Sequence, residues 1–174
     1  MIFTKRTTLR PFDSLDLADL YAYSRISGLG EQAGWKYHES LSEAERMLWR
    51  FLKSGFTFAI VLNESTKVIG HITAHEDSVD GRTDTKELGF VLHPGYQGQG
   101  IMAEVIENFL PYLFNQGIVK IYACCFQVNR PSKKLIEKCG FQFDQEGEFV
   151  SKSLNQTFPS YEYLLTKAEW EARR

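Results

Sequence analysis

The sequence predicts an α/β fold of the α+β kind: one domain over residues 1–174, on a mixed, mostly antiparallel sheet of about seven strands with helices packed on it. Three observations carry this expectation. The periodic segments run strand, two helices, three strands, helix, strand, helix, two strands, an order that fits neither a doubly wound sheet nor a simple stack of helices on a sheet. Near the middle, a strand passes through three closely spaced glycines straight into a helix. The composition, 43% hydrophobic and 24% charged, is that of a globular chain, and at 174 residues one core can bury about two-thirds of the unfolded surface.

Each element has its own signal. Ile2–Arg10 reads as one strand, after which Asp13 caps a short amphipathic helix with Leu17, Leu20 and Tyr21 on one face. Ser27–Gly34 holds three glycines and no period, and is expected as a loop. Ser40-Leu41-Ser42-Glu43 is a capping box, and Ala44, Met47, Leu48, Phe51 and Leu52 then recur at helical spacing. Strands over Phe56–Leu62 and Val68–Glu76 are joined by the polar turn Asn63–Lys67, and a third follows at Thr85–Leu92. A helix from Ile101 buries Val105, Ile106, Phe109, Leu110 and Leu113; Pro111 removes a backbone donor and should kink it or start a new turn. Ile118–Phe126 is a strand, Asn129 caps a helix with Leu135, Ile136 and Cys139 inward, and Gly140-Phe141 ends it. Two strands, Phe141–Val150 and Gln156–Leu165, close the sheet.

The strand–glycine–helix unit, Glu87 to Glu104, is an anion cradle. Glycines at 95, 98 and 100 let a phosphate approach the backbone, and the helix behind them offers unpaired N–H groups at the positive end of its dipole. A Walker loop would need Lys-Ser/Thr after the last glycine, where Ile101-Met102 stand. Gly98-x-Gly100-x-x-Ala103 satisfies a loose dinucleotide fingerprint, yet the next strand lacks the acidic residue for a ribose hydroxyl. A net charge of −2 gives no general attraction to nucleic acid, so the anion must be held by local backbone donors and nearby cations, for which Arg130, Lys133 and Lys134 are the candidates. No apolar run has the length of a membrane span, and a cytoplasmic location is expected. Cys124, Cys125 and Cys139 lie in apolar segments without zinc spacing and read as free buried thiols. His71 and His75 share a strand face, but no third ligand stands at suggestive spacing, and no metal is assigned.

Gln97-Gly98-Gln99-Gly100-Ile101-Met102 resembles the acetyl-CoA signature of the GCN5-related N-acetyltransferases (GNAT), Gln/Arg-x-x-Gly-x-Gly/Ala, with Met102 where a small residue is usual. Asn129-Arg130-Pro131-Ser132 through Glu137-Lys138-Cys139-Gly140-Phe141 resembles a segment of the RimJ/RimL-like branch. Thr8–Phe12 is similar to that branch's opening strand, Glu162–Trp170 to its closing one, and Gly34-Trp35-x-x-His38-x-Ser40-Leu41 to a substrate-side segment of one subgroup. The matches fall in the family's order along nearly the whole chain.

The resemblance implies a GNAT fold in which the fourth and fifth strands splay and acetyl-CoA fills the gap, paired to backbone groups of Phe90, Val91, Leu92 and His93. It implies cofactor contacts from Gln97, Gly98, Gln99, Gly100, Ile101, Met102 and Ala103, and from Asn129, Ser132 and Lys133. Glu87 matches the family's general base, and the Val91 N–H would polarise the thioester carbonyl. Many relatives protonate the leaving thiolate with a tyrosine; Ile136 stands there, and Ser132, one turn earlier, takes the role in this reading. Trp35 and His38 are the substrate-side candidates. The implied partner is an amine acceptor, a peptide N-terminal α-amine of the ribosomal-protein type or a small amine such as a polyamine, and many relatives form homodimers. An acetyl-CoA sensor without turnover is the non-enzymatic alternative.

Overall fold

The computed structural model describes residues 1–174, and the strands form a single sheet in the order β1-β2-β3-β4-β5-β6-β8-β7. These are β1 (Ile2–Phe3), β2 (Thr7–Pro11), β3 (Thr57–Leu62), β4 (Val68–His75), β5 (Thr85–Leu92), β6 (Lys120–Phe126), β7 (Gln142–Ser151) and β8 (Gln156–Thr166). The helices are α1 (Leu17–Ser24), α2 (Leu41–Lys53), α3 (Ile101–Asn115), α4 (Arg130–Lys138) and α5 (Lys167–Glu171). Every neighbouring pair is antiparallel except β5 and β6, which are parallel and joined through α3.

The sheet has eight strands where about seven are expected. The first expected strand, Ile2–Arg10, is two: the chain reverses at Thr4–Arg6, Thr4 N–H donating to Thr7 O, and β1 folds back on β2. The cause lies outside the segment, because Glu104 of α3 accepts from the Thr4 hydroxyl and the Arg6 N–H and pins the reversal. Pro111 likewise does less than expected, for α3 runs through it unbroken to Asn115. The Ser40/Glu43 capping box forms as read and opens α2, whereas Asp13, expected to cap α1 itself, forms a box with Asp16 that opens a 3₁₀ turn before α1.

Side-chain alternation along the strands separates two cores. One face, with Leu9, Ile60, Ile72, Leu88 and Ile121, packs on Ile106, Phe109 and Leu113 of α3 and Ile136 of α4. The other, with Ala59, Val61, Val68 and Val91, packs on Leu20 and Tyr23 of α1 and Met47 and Leu48 of α2. Cys125 belongs to the first core and Cys139 packs against it, while Cys124 points to the opposite face. No helix is long and apolar enough to cross a membrane.

Candidate active site

The parallel ladder between β5 and β6 stops early. It runs from Thr85 opposite Lys120 to Leu88 opposite Ala123, yet β5 continues to Leu92 and β6 to Phe126. The strands part there, and a cleft of about 800 Å³ passes between them, bounded by the 97–103 turn, α4, the 29–35 loop and Phe149.

At one end the cleft has the form of an anion seat. Gly98 and Gly100 adopt φ of 73° and 78°, a region that disfavours any side chain. The N–H groups of Gly98, Gln99, Gly100, Ile101, Met102 and Ala103 bond to no other group of the chain; the first bond of α3 is Glu104 N–H to Gly100 O at 3.1 Å. Consecutive free donors at a helix start, with the dipole behind them, favour a bound anion. Arg6 holds the turn from behind, Nη1 donating to Gln99 O at 2.9 Å and Nε to Glu104 Oε2 at 2.9 Å. Burial opposes the Glu104 charge, but the bonds from Thr4 and Arg6 win and keep its carboxyl below the usual range. Gln97 Nε2 donates to Leu92 O at 2.8 Å, whereas the Gln99 side chain turns back to Gly95 O and lies outside the cleft.

The backbone of β5 corrects two expectations. Alternate residues of a strand direct their N–H and C=O to opposite neighbours. His93 N–H donates to Ile69 O at 2.7 Å on the β4 side, and Asp84 O accepts from Val119 N–H on the β6 side. Odd-numbered residues therefore pair with β4 and even-numbered ones face β6 and the gap. Val91, opposite His71, has its N–H turned away from the gap, and the His93 N–H is already used. The donors facing the gap belong to Phe90 and Leu92. The resemblance placed the carbonyl donor one residue away, and in a two-residue period that is the wrong side of the strand.

Within the ladder, one residue short of its end, Glu87 lies opposite His75 of β4 and Tyr122 of β6, on the face that carries Cys124 and Phe126. One ligand atom each of Glu87, Cys124 and Glu162 lie within 4.8 Å of one another. Gly147 leaves room for this, since an added Cβ would lie 3.1 Å from Glu162 Oε1. Burial, reinforced by the Glu162 and Asp77 carboxylates, pushes Glu87 up to about 7. Burial also raises the Cys124 thiol far above its ordinary range, with Glu162 adding to it. The trio has the spacing of a cation's ligands. The His71/His75 pair does not serve, because His71 Nδ1 is 2.9 Å from the buried Tyr23 hydroxyl and burial drives its pKa down to about 3.

The other wall is α4. Asn129 Oδ1 accepts from Ser132 N–H at 3.2 Å and caps the helix while lining the cleft. Ser132 lines the cleft too, and Ile136 is buried in the core. Lys133 does not reach the site: Nζ lies 4.0 Å from Glu137 and over the Tyr161 ring, and helical phase presents Lys134 and Lys138 to the cleft instead. Of the substrate-side pair, Trp35 lines the cleft, but His38 is buried, with Nδ1 2.8 Å from Ser24 Oγ, and burial lowers its pKa. Tyr96, in the turn just before the seat, is within reach of local reasoning; Arg6, Phe126, Phe149 and Glu162 carry no local signal, and the strand order and the β7–β8 hairpin bring them in.

The model of the acetyltransferase (GNAT) domain family matches residues 6–142. An uncharacterized N-acetyltransferase, YnaD, of Bacillus subtilis is 28% identical over 97% of this chain and 98% of its own length. Among solved structures, a GNAT-family acetyltransferase from Bacillus anthracis superposes with a TM-score of 0.85 at 20% identity, covering 96% of this chain and 98% of that one. Spermidine N-acetyltransferase from Vibrio cholerae, solved with CoA and spermine, does so at 0.79 and 18% identity over 95% and 98%. A parallel pair that splays beside six free N–H donors is the seat that an acyl-CoA requires, and with the family match over most of its length the chain belongs to the GNAT family of acetyl-CoA-dependent N-acetyltransferases.

Proposed function

We propose that the chain transfers an acetyl group to a primary amine by direct attack in a ternary complex, and that the amine is a peptide N-terminal α-amine. The observation that carries the transfer is Glu87, a carboxyl lining the cleft whose pKa burial and the neighbouring Glu162 and Asp77 raise to about 7, so that it can take a proton from an ammonium near neutral pH. An α-amine acceptor serves the RimJ/RimL-like branch that the 129–141 segment resembles.

In this reading acetyl-CoA supplies an activated acetyl thioester, and the chain does the rest. The N–H groups of residues 98–103 hold the pyrophosphate, with Lys134 and Lys138 alongside. The Phe90 N–H faces the gap and polarises the carbonyl. Glu87 takes the proton that the amine gives up as the C–N bond forms, and the Ser132 hydroxyl donates to the sulfur as the C–S bond breaks. Asn129 holds Ser132 at the helix start.

Two outcomes test these roles. Ser132→Ala should lower kcat with little change in acetyl-CoA affinity, and the loss should shrink for a donor with a more acidic leaving thiol. A folded variant with full turnover would remove Ser132 from the mechanism and leave water as the donor. Glu162→Gln removes the nearest negative charge from Glu87, so the rising limb of kcat/KM against pH should move toward acid. An unmoved limb would show that Glu87 is not the titrating base.

A further inference from the structure

The acceptor end of the cleft is walled by rings. Trp35, Phe126 and Phe149 line it together with Leu29 and Val91. The wall is built in advance of any ligand. The Trp35 ring lies against Gly30 and the Phe149 ring against Gly34, each so close that a Cβ on the glycine would collide with it. Gly34, at φ 86°, is tied to the β7–β8 hairpin by Ser151 Oγ, which donates to its carbonyl at 2.7 Å, and Lys36 N–H donates to Ser153 Oγ at 3.3 Å. Phe126 is in turn stacked on Phe158, ring centroids 4.5 Å apart. Glu87 is the one carboxylate lining the cleft, with Glu162 next to it, and the lysines there, Lys134 and Lys138, are on the α4 side. The acidic groups are gathered at one point and none stands along the ring-lined wall to meet the further charges of a polycation, whereas an apolar body attached to the amine would cover the rings.

We propose that this subsite selects an amine carried on a large apolar group, in the first instance an N-terminal residue with an aromatic or branched aliphatic side chain. The inference rests on the transferase reading above. A free arylalkylamine presents the same chemistry from a different source, and spermidine presents the opposite chemistry.

The test measures kcat/KM at saturating acetyl-CoA for four acceptors: a tripeptide amide beginning with Phe, one beginning with Ser, 2-phenylethylamine, and spermidine. The Phe peptide should exceed the Ser peptide by at least about tenfold, the discrimination that an apolar pocket provides. Phe149→Ala and Trp35→Ala should each erode that ratio, through KM for the Phe peptide and not through acetyl-CoA affinity. Phenylethylamine ahead of both peptides would keep the apolar subsite and assign it to a small amine. Spermidine or the Ser peptide in front would overturn the inference and leave the acetyltransferase intact. Were no amine acetylated, calorimetry of the two peptides against the CoA-bound protein decides: tighter binding of the Phe peptide keeps the subsite and removes the proposed reaction, and equal binding removes both.

Discussion

Glu87→Gln should lower kcat at pH 7 by about 10²- to 10⁴-fold and leave acetyl-CoA affinity unchanged, because it removes the proton acceptor and keeps the shape. The deficit should narrow at higher pH, where the amine deprotonates unaided; a deficit constant across pH would assign Glu87 a structural role. The same substitution should stabilise the fold under alkaline conditions. With Glu87 at about 7 in the folded state against an ordinary 4.5, the folded protein keeps between those values a proton that the unfolded chain has released. Its contribution is therefore fully present below about pH 4.5 and is lost as pH rises through about 7. A shift of that size corresponds to on the order of 3 kcal/mol, less where solvent screens the half-buried carboxylate. Glutamine stays neutral, so the variant should melt above the parent at pH 8 and alongside it at pH 4. Parallel melting curves at both pH values would refute the desolvated carboxyl.

Gly100→Val should raise the dissociation constant for acetyl-CoA at least about tenfold, roughly 1.4 kcal/mol. The substitution meets little crowding within the chain, since the nearest neighbour of an added Cβ is Arg6 Nη2 at 3.7 Å. Its effect comes from the backbone. At φ 78° a β-branched residue is strained, and relief of that strain rotates the peptides whose N–H groups make up the seat. Gly100→Ala should fall between the parent and the valine variant. Calorimetry that finds a folded Gly100→Val protein with unchanged affinity would remove the anion seat from this turn.

What the sequence determined by itself is local. The Ser40/Glu43 box, the Asn129 cap, the glycine turn into α3 and the period of each helix depend on residues three or four apart, and the structure reproduces them. Family resemblance added the splayed pair, which the early end of the β5–β6 ladder bears out. Tertiary structure decided what depends on register and phase. Whether Val91 or Phe90 faces the gap turns on a period of two, and whether Lys133 or Lys134 faces it turns on 100° of helix rotation, so an error of one residue reverses each answer. The reversal at Thr4–Arg6 answers to a carboxylate 98 residues away from Arg6. Glu162 meets Glu87, and Phe149 meets Gly34, only because β8 lies between β6 and β7 and the hairpin folds over the cleft; pairing between strands distant in sequence leaves no mark in the spacing of residues along the chain.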